Sequence, residues 1–176
     1  MSIVTESQIA EAIRECAPTR VAVAYLGADW KTFLPSVLEL EFVIISPTLG
    51  TNPQAVGELA RAIGWERVFL LDQLHAKVYF GKNGAIIGSA NLSRNGLSGK
   101  ALRELCVVIR DTVVLGALPP IMDAWRDRAA ERYPDEQAKK KKLAALVDIT
   151  NAAYARRLIK RKEKRVRSFD EFTLFG

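Results

Sequence analysis

One short stretch carries most of the chemistry available to this chain: His75-Ala76-Lys77 and, further on, Gly88-Ser89-Ala90-Asn91. An imidazole can act as a nucleophile or a general acid. An ammonium, a hydroxyl and a carboxamide are donors suited to phosphoryl oxygens. The flanking residues are apolar and read as strands over 75–80 and 85–90, joined by a hairpin at Gly81-Lys82-Asn83-Gly84. Side chains alternate faces along a strand, so His75 and Lys77 share one face and Ser89 and Asn91 share another. Pairing through that turn sets His75 opposite Ala90 and Lys77 opposite Gly88. Four polar groups then gather at one end of an apolar hairpin, where burial costs free energy unless they bind a ligand or each other. Tyr79 falls on the face of His75 and Lys77 and reads as a packing residue bordering them.

The segment resembles the HKD motif of the phospholipase D superfamily, in which His-x-Lys is followed by an Asp and then by Gly-Ser-x-Asn. His75, Lys77, Gly88, Ser89 and Asn91 match it, and Leu92-Ser93-Arg94-Asn95-Gly96-Leu97 and Glu104 resemble the family's residues on the C-terminal side of the motif. The family's Asp has no counterpart, its place falling at Gly81 or Lys82. The resemblance implies a phosphodiester chemistry. His75 would attack phosphorus to form a phosphohistidine, and Lys77 and Asn91 would hold the non-bridging oxygens. Ser89 would add a donor, Glu104 would orient the imidazole, and Arg94 would reach a phosphate. No metal and no cofactor are implied, because side chains supply the positive charge. The superfamily mechanism uses a second histidine to protonate the leaving oxygen and then activate water. This sequence has one histidine. The resemblance therefore implies a homodimer, with His75 and its copy facing one phosphate across a two-fold axis.

The elements that must position these groups read as α/β. An amphipathic helix spans 6–16, with Ile9, Ala12, Ile13 and Cys16 at helical spacing. Buried strands read at 21–26, 42–45, 68–71 and 102–109. Helices read at 30–40, with Pro35 near its first turn, and at 53–63, where Asn52 caps and Pro53 takes the first position. Ser46, Thr48, Thr51 and Asn52 follow a strand end, a place where α/β folds bind ligands, but read first as a capped turn. Residues 91–100 read as a loop holding one helical turn. Helices at 113–132 and 136–167 close the chain, interrupted by Pro119-Pro120 and Pro134. The expected architecture is a mixed β-sheet flanked by helices, a phospholipase D-like fold with a helical, basic C-terminal extension. It divides into a core of 1–111 and an extension of 112–176.

The 176 residues carry 26 Lys plus Arg against 20 Asp plus Glu, unevenly placed. Twelve basic residues fall between Lys139 and Arg167, opposed by Asp148 and Glu163 alone. Such a segment suits a polyanion. Lys139, Lys140, Lys141, Lys142, Arg156, Arg157, Lys160, Arg161 and Lys162 are the expected nucleic-acid contacts, DNA being the first choice. The apolar Phe169, Phe172, Leu174 and Phe175 lie beyond them. Two cysteines exclude a disulfide scaffold or a Cys-rich zinc site. No apolar run is long enough to span a bilayer, and residues 1–14 lack the pattern of a signal peptide, so a cytoplasmic protein without stable membrane insertion is expected. The leading expectation is a nuclease. Its competitors are a non-catalytic binding module of the same fold and a phospholipid-processing enzyme.

Overall fold

A computed structural model describes residues 1–34 and 36–173, with side chains described to residue 153 and for Ala155 and Arg156. Seven strands form one mixed sheet in the order β1-β7-β6-β5-β2-β3-β4. They are β1 (Ser2–Thr5), β2 (Pro18–Val23), β3 (Phe42–Ile45), β4 (Val68–Leu70), β5 (Lys77–Gly81), β6 (Gly84–Gly88) and β7 (Leu105–Ile109). Strands β2, β3 and β4 run parallel, and β5, β6, β7 and β1 continue the sheet antiparallel. Helices α1 (Ser7–Cys16) and α3 (Pro53–Ile63) cover one face. They bury Ile9, Ile13, Val56 and Leu59 against Val21, Val23, Val43, Tyr79 and Ile86. On the other face α5 (Thr112–Arg132) lays Leu118, Met122 and Ala129 over Ala22, Phe42, Ile44, Val78 and Ala85. The core therefore has two layers split by the sheet, as expected for residues that are apolar on both sides of a strand.

Asn52 caps α3 as its type and place imply, its side-chain oxygen accepting from the N–H groups of Gln54 at 2.9 Å and Ala55 at 3.1 Å. The helix expected over 30–40 is instead one turn, α2 (Trp30–Phe33). Leu34 leaves the helical region, with φ −127° and ψ 70°, as a residue before a proline is disfavoured there; Pro35 lies outside the described residues. Pro119 and Pro120 do not interrupt α5. The buried Leu118, Met122 and Ala129 hold both halves of that helix to the sheet, which offsets the two lost backbone bonds. The strand expected over 102–109 begins at Leu105, and β1 was not expected at all. It is a short edge strand whose pairing with β7 no local pattern announces. The turn inside 91–100 is α4 (Arg94–Leu97), capped by Ser93. The basic segment begins on α6 (Glu136–Thr173). Its first turns join the core through Leu143 and Leu146, 6% and 3% exposed.

Candidate active site

The β5–β6 hairpin has the register expected from its turn, with Gly81 opposite Gly84 and Val78 opposite Ile87. Extending it by one residue sets Lys77 across from Gly88. A side chain cannot fit at Gly88, since a Cβ there would stand 2.3 Å from the Leu105 oxygen and 2.6 Å from the Cys106 sulfur. The glycine thus lets β7 close onto β6. His75 and Ala76 precede β5 rather than opening it. His75 is therefore an exposed loop residue at the strand's mouth, free of the alternation that would have fixed its face.

Lys77 is the unusual residue. It is 6% exposed, and its ammonium donates to the His75 carbonyl at 2.8 Å. The same nitrogen lies 3.3 and 3.5 Å from the two imidazole nitrogens, so lysine and histidine touch directly. Burial pushes the Lys77 pKa down, and the charge of Glu104 opposes that shift. Glu104, 9% exposed, stands just before β7 and accepts a hydrogen bond from the Ser89 hydroxyl. Ser89 also takes the Leu105 N–H at 3.0 Å. Glu104 is bonded to Ser89 instead of His75, and the Ser89 proton is directed to a carboxylate. Tyr79, fully buried, donates its hydroxyl to the Ala90 carbonyl at 3.1 Å, and burial raises its pKa. It is a packing residue beneath the site.

Asn91 reaches the same end of the sheet from the loop after β6. Its carboxamide oxygen accepts the Tyr25 N–H at 2.9 Å. That bond assigns the amide orientation and leaves the NH2 group to donate. Asn91 and Glu104 line a cavity of about 480 Å³ that Arg94 also borders. Arg94 is bound to Asp29, a residue the motif did not indicate. Asp29 follows the C-terminal end of β2 in a parallel part of the sheet, and that position was the available signal.

At the place of the family's Asp, Gly81 admits no side chain, because a Cβ would lie 2.3 Å from the carbonyl oxygens of Cys16 and Ala17. Lys82 turns outward to Glu39 at 2.8 Å. Among the described residues no group of three or more His, Cys, Asp or Glu side chains is placed to hold a metal ion.

The basic segment divides. Lys139 is a correction to the expected nucleic-acid contacts: it is 4% exposed, donates to the Trp65 carbonyl at 2.7 Å and sits 4.9 Å from the Phe69 ring centre. Lys142 pairs with Asp72 at 3.0 Å, and Lys140 pairs with Glu136. Lys141 and Arg156 are exposed. The side chains of Arg157, Lys160, Arg161 and Lys162 lie outside the described residues.

No protein-family model and no curated protein matches the sequence. Solved structures do. NucT from Helicobacter pylori superposes with a TM-score of 0.56 at 18% identity, over 72% of this chain and 94% of that one. Nuc from Salmonella typhimurium, described as a phospholipase D family member, superposes with a TM-score of 0.50 at 16% identity, over 72% of this chain and 93% of that one. The fold is phospholipase D-like. The mixed sheet and its flanking helices, which the resemblance implied, are thereby found. Among the described residues no helix is long and apolar enough to cross a membrane.

Proposed function

We propose that the protein is a metal-independent phosphodiesterase that cleaves nucleic acid through a phosphohistidine, at a site shared by two copies of the chain. The observation that carries this reading is Lys77, a buried ammonium held against the chain's sole histidine. A buried cation is costly, and nearby Glu104 is already hydrogen-bonded to Ser89. An incoming phosphate would satisfy it.

In the first step an imidazole nitrogen of His75 forms a bond to phosphorus, and the bond to the leaving oxygen breaks. That oxygen takes a proton from His75 of the second copy. Lys77 and the Asn91 NH2 group stabilise the charge on the non-bridging oxygens. In the second step water attacks phosphorus and gives its proton to the second imidazole, and the first leaves. Glu104 and Ser89 fix the β6 and β7 ends around Lys77.

A non-catalytic nucleic-acid-binding module is the competing reading. It is favoured by Gly81 and Lys82, which put no carboxylate where the family has its Asp. The distinguishing experiment is cleavage of plasmid and single-stranded DNA in excess EDTA, for the parent and for His75→Ala. Cleavage by the parent and none by His75→Ala is the expected result. Binding without cleavage would establish the module, and activity lost to EDTA and restored by magnesium would overturn the mechanism.

A further inference from the structure

The cavity beside Asn91 is lined by Asn91, Arg94 and Glu104 and also by two segments that the motif chemistry does not use, around Tyr25 and around Gly50. Leu26 and Leu92 form an isolated parallel bridge, and Gly27 N–H donates to the Leu92 carbonyl at 2.8 Å. This pairing, with the bond from Tyr25 N–H to Asn91, sets Tyr25 beside the motif asparagine. Tyr25 is half-buried and lines the cavity. Gly50 bears directly on its ring: a Cβ there would fall 2.4 to 2.6 Å from ring carbons Cδ1, Cε1 and Cγ. Only glycine allows that approach, so the ring is held on one side by backbone, and Tyr25 and Gly50 both line the cavity.

Beside the carboxylates of Asp29 and Glu104, the polar lining includes groups with donors left over. Asn52 lines the cavity, and its side-chain oxygen is taken by the two N–H groups at the start of α3. Its NH2 group is then the part left to donate. Asp29 grips Arg94 twice, accepting its backbone N–H at 3.0 Å and its Nε at 2.9 Å. Both terminal nitrogens of a guanidinium that is 75% exposed are left for an acceptor.

We propose that this cavity is a nucleoside subsite next to the reacting phosphate. A base stacks on the Tyr25 ring, the Asn52 NH2 group donates to its polar edge, and Arg94, positioned by Asp29, binds the neighbouring phosphate. At about 480 Å³ the cavity lies in the ordinary range for small-molecule sites, roughly 300 to 1,000 Å³. An aromatic ring between two amide donors, with a guanidinium beyond, fits alternating planar and anionic groups. An acyl chain would leave those donors unpaired. The proposal rests on the phosphodiesterase reading for its chemistry but not for its binding.

Two measurements test it apart from that reading. The first compares hydrolysis of thymidine 5′-(p-nitrophenyl phosphate) with that of methyl p-nitrophenyl phosphate. The second compares calorimetric binding of thymidine 5′-monophosphate with that of inorganic phosphate. Tyr25→Leu should lower the nucleoside-to-methyl ratio of kcat/KM, and the nucleotide-to-phosphate ratio of affinity, by about tenfold, the size of stacking on one aromatic ring. Tyr25→Phe should keep both ratios. Asp29→Asn should weaken binding of a 5′-phosphorylated thymidine dinucleotide as much as Arg94→Ala does, with no further loss in the double variant. Unchanged ratios in Tyr25→Leu would overturn the subsite, and additive losses would overturn the positioning role of Asp29. A parent that hydrolyses neither ester would defeat the phosphodiesterase reading, while the subsite would still be judged by nucleotide binding.

Discussion

At the scale of single residues the site separates groups that hold the structure from groups that are free to react. His75 is exposed, and its described hydrogen-bond contacts are with Lys77. Ser89 looks equally peripheral in sequence, yet its hydroxyl ties the buried Glu104 carboxylate to the Leu105 backbone. His75→Ala should therefore leave the stability within about 0.5 kcal/mol of the parent. Turnover should fall by several orders of magnitude, since no covalent intermediate can form. Ser89→Ala should lose roughly 1 kcal/mol, because the Glu104 carboxylate, 9% exposed, loses the Ser89 hydroxyl that donates to it. Urea denaturation of both variants checks the pair. A His75→Ala protein less stable than Ser89→Ala would show that these roles are reversed.

At the scale of elements α6 is two things in one helix. Its first turns belong to the core, with Lys139, Leu143 and Leu146 buried. Seven of its basic residues lie beyond Arg156. Ending the chain after residue 156 should leave a folded protein with weaker nucleic-acid binding and a shallower dependence on salt. If about six of these residues meet phosphates, the parent's affinity should fall roughly a thousandfold between 50 and 200 mM salt. Filter binding across that range, with thermal unfolding of the shortened chain, tests both halves. Unchanged affinity and slope would show that the segment contributes nothing to nucleic-acid binding.

The loop between β4 and His75 is fastened to α5 and α6 by Asp72, which accepts from the Tyr133 hydroxyl at 2.7 Å and from Lys142 at 3.0 Å. Burial pushes the Asp72 pKa up, but Tyr133, Lys142 and Arg132 together bring it below its usual value of 3.8. A carboxyl depressed in the folded state stabilises above its unfolded pKa, and that contribution is lost as pH falls through the folded one. Asp72→Asn should accordingly be less stable than the parent at pH 7, by about 0.5 to 1 kcal/mol given its partial exposure. The gap should close toward pH 2. A gap that persisted there would mean that packing rather than charge holds this junction.

At the scale of the whole molecule the count of one histidine is decisive for the proposed mechanism. In that mechanism one imidazole attacks and another donates a proton, which requires a dimer with a composite site. Mixed dimers of parent and His75→Ala, purified through two different tags, should be inactive and should sediment as the parent does. A fully active monomer, or mixed dimers with half the parent activity, would refute the shared site.

The sequence by itself determined the hairpin and the α3 cap, because both are local. A two-residue turn fixes which residues face each other, and an asparagine before a proline caps the start of the helix that follows it. The spacing of His75, Lys77, Ser89 and Asn91 about the hairpin turn placed those four groups at one end of it, and Glu104 came only from the family resemblance. Only the tertiary structure decided where each polar atom is directed. Ser89 bonds Glu104, Lys139 turns inward to Trp65, and Tyr25 stands beside Asn91 because strands and loops distant in the chain meet there. The edge strand β1 and the unbroken α5 were hidden for the same reason. Pairing with β7 and packing on the sheet outweigh weak or contrary local preferences, and such long-range contacts leave no periodic trace in a sequence.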